Sequence, residues 1–143
     1  MKKFILAACA ALALTACQTT SPYSTDNKPQ IVTTKTVSEA KSAAKAIFTR
    51  PTLAFRVVRE TPNTLLLRKS LPANVNDTNP LKDRTKGRPD AVIKLVFTPD
   101  NGATRVTGDN WIVLNPGHPN KDTYNLLDTP DGSRLKNKMY EIR

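Results

Sequence analysis

Apolar residues recur at helical spacing just after Lys35, and from Leu53 onward they alternate with polar ones. Thr36-Val37-Ser38-Glu39 is a capping box: the Thr36 hydroxyl is placed to accept from the Glu39 amide, and the Glu39 carboxylate to reach back. Val37, Ala40, Ala44, Ile47 and Phe48 then form one apolar stripe, with Lys41 and Lys45 expected on other faces. Pro51 ends this helix, because the residue before a proline is pushed out of helical geometry. Strands are expected next. Leu53 to Glu60 sets Leu53, Phe55 and Val57 on one side, and Glu60-Thr61-Pro62-Asn63 reads as a turn. Thr64 to Lys69 returns with Leu65 and Leu67 inward. Asp90 to Thr98 places Ala91, Ile93, Leu95 and Phe97 inward, and Asp100-Asn101-Gly102 is a tight-turn signal. Ala103 to Leu114 runs back, bent near Gly108-Asp109-Asn110. Near the end, Leu135, Met139 and Ile142 fit a short helix, although Asp131-Gly132 also permits a hairpin.

The simplest assembly is an α+β domain, with the N-terminal helix packed on a twisted antiparallel sheet of about four strands. Its outline is similar to helix-grip and cystatin-like arrangements, with no motif of either. The folded unit is expected to span residues 36–143, a length that suits one core. Before it, residues 17–35 are rich in Thr, Ser, Pro, Asn and Gln and read as a flexible tether with a reach of roughly 20–25 Å.

The first sixteen residues have another pattern. Lys2 and Lys3 are followed by the apolar run Phe4 to Leu12 and then by Leu14-Thr15-Ala16-Cys17. Such a run suits an export signal and is roughly half the ~20 residues a membrane span needs. The tetrapeptide ending at Cys17 resembles the lipobox of bacterial lipoproteins. That resemblance implies removal of residues 1–16, diacylglyceryl on the Cys17 thiol, acylation of the new amine, and a lasting membrane anchor. Leu6-Ala7-Ala8-Cys9 has a similar shape, but cutting there would leave too short an apolar zone. Gln18 in place of Asp implies, by the same resemblance, an outer-membrane address facing the periplasm. With Cys9 gone and Cys17 acylated, the mature chain would have no thiol for disulfides, nucleophilic catalysis or metal ligation.

Charge changes the picture of partners more than of fold. The chain has 22 basic and 12 acidic side chains; loss of Lys2 and Lys3 with the leader leaves 20 against 12, a balance of +8. Two basic groupings stand out. Lys82, Arg84, Lys86 and Arg88 alternate within the loop Ser70 to Pro89, which reads as a solvated segment or an anion-contacting arm. By strand alternation, Arg56, Arg68, Lys94 and Arg105 point away from the helix, one from each strand, beside Val58, Leu66, Val92 and Val96. Like charges opposite each other repel, so water, a carboxylate such as Glu60, or a bound anion should offset them.

No catalytic constellation emerges, and the chain reads as a non-enzyme without metal or cofactor. His118 is a lone histidine in the loop motif Asn115-Pro116-Gly117-His118-Pro119, with Asp122 the nearest carboxylate. Asp77, Asp83, Asp100, Asp109, Asp128 and Asp131 fit turn or cap roles. Five scattered glycines make no phosphate loop. Trp111, Tyr124 and Tyr140 are not spaced as a stacking platform, which argues against nucleic acid.

Three functions are consistent with these residues. One is a lipid-anchored binding or scaffolding module whose basic surface meets an anionic lipid, a glycan or an acidic protein. Another is a carrier of a small hydrophobic or amphipathic ligand, which needs a pocket of roughly 300 Å³ or more. Ala40, Ala43 and Ala44 are the helix residues that could leave such space, although small residues there more often allow close packing. A third is a lipoprotein subunit of a secretion or conjugation assembly. The address itself is directly testable: the mature protein should begin at a lipid-bearing residue 17 by mass spectrometry, and Cys17→Ser should release it from the membrane fraction. An intact or differently clipped leader would remove the address.

Overall fold

The computed structural model describes residues 28–72, 88–117, 119 and 122–143. Along them run β1 (Gln30–Thr33), α1 (Val37–Phe48), β2 (Arg56–Thr61), β3 (Thr64–Ser70), β4 (Asp90–Asp100), β5 (Ala103–Leu114), β6 (Asp122–Asn125) and α2 (Pro130–Tyr140). All strand pairs are antiparallel, in the order β1-β5-β4-β3-β2, with β6 also paired to β5. β1 takes Thr104 to Thr107 of β5 and β6 takes Trp111 to Leu114, so the two short strands share the edge of β5 away from β4. The fold class is thus α+β, with two helices on a six-stranded sheet.

α1 forms where the capping box places it. Thr36 Oγ1 accepts from the Glu39 amide at 3.3 Å, and Glu39 Oε2 accepts from the Thr36 amide at 2.8 Å. The Thr36 amide and the Thr36 hydroxyl both donate to Glu39 Oε2, each at 2.8 Å, and together hold the Glu39 carboxyl below its ordinary range. Ala40, Ala44, Ile47 and Phe48 are buried over β3 and β4. Lys41 and Lys45 lie off the buried stripe, and both amines reach down to the β2 hairpin, Lys41 to the Thr61 carbonyl at 2.8 Å and Lys45 to Glu60 at 2.6 Å. α2 settles the choice between helix and hairpin near the end. Thr129 caps it, Pro130 stands at its start where no amide partner is needed, and Leu135 and Met139 are buried over β5.

The strand rows emerge largely as the alternation requires, with three differences. β1 lies within the stretch read as a tether; Ile31 is buried there, but four residues are too few to declare an alternation. Leu53 to Phe55 is not strand. Ala54 has φ of 56°, a left-handed conformation costly to a Cβ, and its amide bonds back to the Arg50 carbonyl at 2.8 Å. Leu53, Phe55 and Val57 nevertheless pack on the core together. Finally, the register of β2 against β3 shifts between Val57 and Arg59, a bulge that turns Glu60 to the helix side. Glu60 therefore does not offset the basic face.

α2 sits close because β5 and its own first turn give way. A Cβ at Gly108 would come 2.6 Å from Met139 Sδ and 3.1 Å from Leu135 Cδ2. A Cβ at Gly132 would collide with the Leu127 carbonyl, which is backbone and cannot swing aside. Gly132→Ala should therefore cost about 3 kcal/mol and Gly108→Ala, whose neighbours are flexible side-chain ends, about 1 kcal/mol. Urea midpoints would check the order; equal losses would contradict the close seating of α2.

Candidate functional site

The sheet has two faces. One carries both helices; the other carries the four cations singled out from the alternation. Arg56 stands in register with Arg68, which stands beside Val92 and then Trp111; Lys94 faces Asp109; Arg105 faces Thr98 and Val32. The placement agrees with the alternation, but carboxylates accompany the cations. Arg105 Nη2 lies 2.6 Å from Asp100 Oδ2, and its Nη1 donates to Gln30 Oε1 at 3.1 Å. Arg68 Nη1 lies 3.7 Å from Asp90 Oδ2, and Asp90 also accepts from Ser70 at 2.8 Å. Asp109 corrects the expectation of a turn role. It is buried in mid-β5, accepts from the Asn110 amide through Oδ1, and pairs through Oδ2 with Lys28 at 3.1 Å. Lys82, Arg84, Lys86, His118 and Cys17 lie outside the described residues. Arg88 is exposed, and its Nε donates to the Leu71 carbonyl at 3.3 Å.

On the helix face the apolar core is interrupted. Its larger part joins α1, the inward rows of β3 and β4, and the buried side of α2. A smaller cluster groups Ile112, Leu114 and Leu126 with Leu71 and Tyr124. Between them the cross-strand row Lys69-Ala91-Ile112 is followed by the row Leu67-Ile93-Asn110. Ala91 is too short to fill its place, and Asn110 puts an amide among Ile93, Ile112 and Leu135. The result is a cleft of about 380 Å³.

Its walls come from distant parts of the chain. One is Phe48 at the end of α1 with Leu53 and Phe55 after it; the Phe48 and Phe55 rings meet edge to face, centroids 6.3 Å apart. The other is α2, presenting Leu135, Asp131, Arg134 and Lys138. At the bottom of the first wall, Lys69 Nζ donates to the Leu53 carbonyl at 3.0 Å and lies 4.9 Å from the centre of the Phe55 ring. That contact holds the left-handed turn at Ala54 in place. The space is not beneath the helix alanines: Ala40 and Ala44 are fully buried, allowing the close packing that small residues usually bring. It opens past the C-terminal end of α1, and the one cue along the chain was a small Ala91 in a row of Ile, Leu and Phe.

An ion pair spans the two walls. Arg50 Nη1, just after α1, donates to Glu141 Oε2 at 3.0 Å, while Lys138 of α2 holds Glu141 Oε1 at 2.6 Å. The bonds from Lys138 and then Arg50 keep the Glu141 carboxyl below its ordinary value of 4.5. Glu60 is lowered in the same sense by Lys45 and Lys41, which fastens α1 to β2. Among the described residues no group of three or more His, Cys, Asp or Glu side chains converges as a metal site, and no helix is long and apolar enough to cross a membrane.

A carboxyl whose folded-state pKa is lowered stabilises the fold above its unfolded value and loses that contribution as pH falls through the folded value. Unfolding midpoints should therefore decline below about pH 4.5. The double variant Glu60→Gln, Glu141→Gln should be less stable at neutral pH and show a shallower acid slope. An unchanged slope would deny both pairs a part in stability.

Comparisons with models of protein families, with curated proteins and with solved structures found no match, so the chain's own side chains carry the functional reading.

Proposed function

We propose that this chain is a lipid-anchored, periplasm-facing binding protein that holds a small amphipathic molecule in the cleft between α1, its following turn and α2. The observation that supports it is the break in the core. A floor of Ala91, Ile93 and Ile112 with one amide, Asn110, is open between two walls that share few contacts of their own. Small-molecule sites are mostly apolar with a few placed polar groups, and 380 Å³ falls in their usual range of roughly 300–1,000 Å³. Leaving such a gap unfilled sacrifices dispersion contacts along its lining. A ligand restores them.

The cation-bearing sheet face gives less support to an anionic surface partner, because Asp90, Asp100 and Asp109 supply counter-charge on the spot. Binding is the reading, with no chemical step. Cys17 supplies the anchor in this proposal, which keeps the module within reach of a bilayer that could donate or accept the ligand.

The neutral dye Nile red suits the test, with the mature chain carrying Cys17→Ser so that every described residue is kept. Its emission should rise on binding. Ala91→Phe, which fills the floor, should weaken binding by about tenfold or more, a loss of ~1.4 kcal/mol. Leu71→Arg should do the same from the cleft's far end, while Arg56→Ala on the other face should leave it unchanged. Dye binding that is absent, or indifferent to both cleft variants, would overturn the reading.

A further inference from the structure

We infer that the ligand is a singly charged amphipathic anion and that Lys69 receives its head group. This rests on the cleft being a binding site, as proposed above, and adds the charge and orientation of its occupant. Three cations line the cleft: Lys69, Arg134 and Lys138. The two on α2 each have a carboxylate of the same helix region, Arg134 with Asp131 at 2.8 Å and Lys138 with Glu141 at 2.6 Å. Lys69 differs. Its partners among the described residues are a carbonyl oxygen and an aromatic ring, neither of which bears a charge. It is also half-buried and stands at the end of an otherwise apolar row.

Among the described residues such a cation loses hydration without gaining a counter-ion, and a carboxylate-sized anion would restore what is missing. The geometry also gives the orientation. Lys69 is on β3, Ala91 on β4 and Ile112 on β5, all in one row. Two strand spacings separate Lys69 from Ile112, on the order of 10 Å. An anionic head at Lys69 would thus run its apolar body over the short Ala91 side chain toward Ile112 and Leu126. Asn110, on the neighbouring row, offers its amide to a polar group partway along that body. Phe55 flanks the head with its ring, already in contact with the ammonium.

The experiment compares decanoate with decanol, which differ in the head group, as competitors of Nile red on the mature Cys17→Ser chain. Decanoate should displace the dye at about tenfold lower concentration than decanol. Lys69→Gln should abolish that preference, and Lys69→Arg should keep it. Arg134→Gln should keep it too. Lys69→Met, which retains the stem against Phe55, serves where Lys69→Gln fails to fold. Equal displacement by both compounds in the wild type, or a preference that survives both neutral Lys69 variants, overturns the inference and leaves the cleft standing. Displacement by neither compound, with no dye binding, overturns the cleft and the inference together.

Discussion

The seating of α2 against β5 is the constraint on which the rest of the molecule depends. Met139 fills the space left by the absent Cβ of Gly108, and the first turn of α2 folds over the Leu127 backbone because Gly132 has no side chain. With α2 held there, β1 is covered from the same side, and Leu135 closes the larger core from the direction opposite α1. α1 meanwhile lies over β3 and β4 on buried alanines. Apart from the Arg50–Glu141 ion pair beyond their ends, each helix is fixed to the sheet rather than to the other helix. The gap between them is set by where each finds its small residues, and no shared ridge of side chains closes it.

Charge is organised around the same division. Among the described residues, many of the cations that make up the positive balance have carboxylate partners. Lys28, Arg68 and Arg105 have local carboxylate partners on one face, and Lys41, Lys45, Arg50, Arg134 and Lys138 have them on or beside the helices. Most of these pairs are exposed and contribute little individually to stability. Their larger effect is to remove charge from consideration as a recognition signal at those places, so that a cation with neutral partners in an apolar cleft becomes distinctive. The strained turn at Ala54 belongs with this. It brings Leu53 and Phe55 to the wall, where Lys69 secures the Leu53 carbonyl.

Local rules explain where the chain was legible. Helix α1, its cap and its buried stripe follow from Thr36, Glu39 and a 3.6-residue period, all within one stretch of chain. The inward rows of β3, β4 and the first half of β5 follow from strict alternation, and so does the shared face of Arg56, Arg68, Lys94 and Arg105. β1 and β6 were not legible because each is four residues long and owes its existence to the backbone of β5. The bulge at Val58 was hidden for a related reason. A single extra residue in β2 inverts the face of every later position in that strand, and only the partner strand reveals it. Asp109 looked like a turn residue beside Gly108 and Asn110, yet it is mid-strand, because Lys28 from another strand's approach supplies its counter-charge.

By itself, then, the order of residues determined the fold class, the long helix and strands, and, outside β2 beyond its bulge, which side chains point to which side. These depend on periodicity and on contacts between near neighbours, which are written into adjacent positions. The cleft, the partners of the basic face and the standing of Lys69 were decided only by the tertiary structure. They arise where Phe55, Ala91, Asn110 and Arg134 meet from separate elements. No spacing along the chain encodes how far apart two helices will settle on a common sheet.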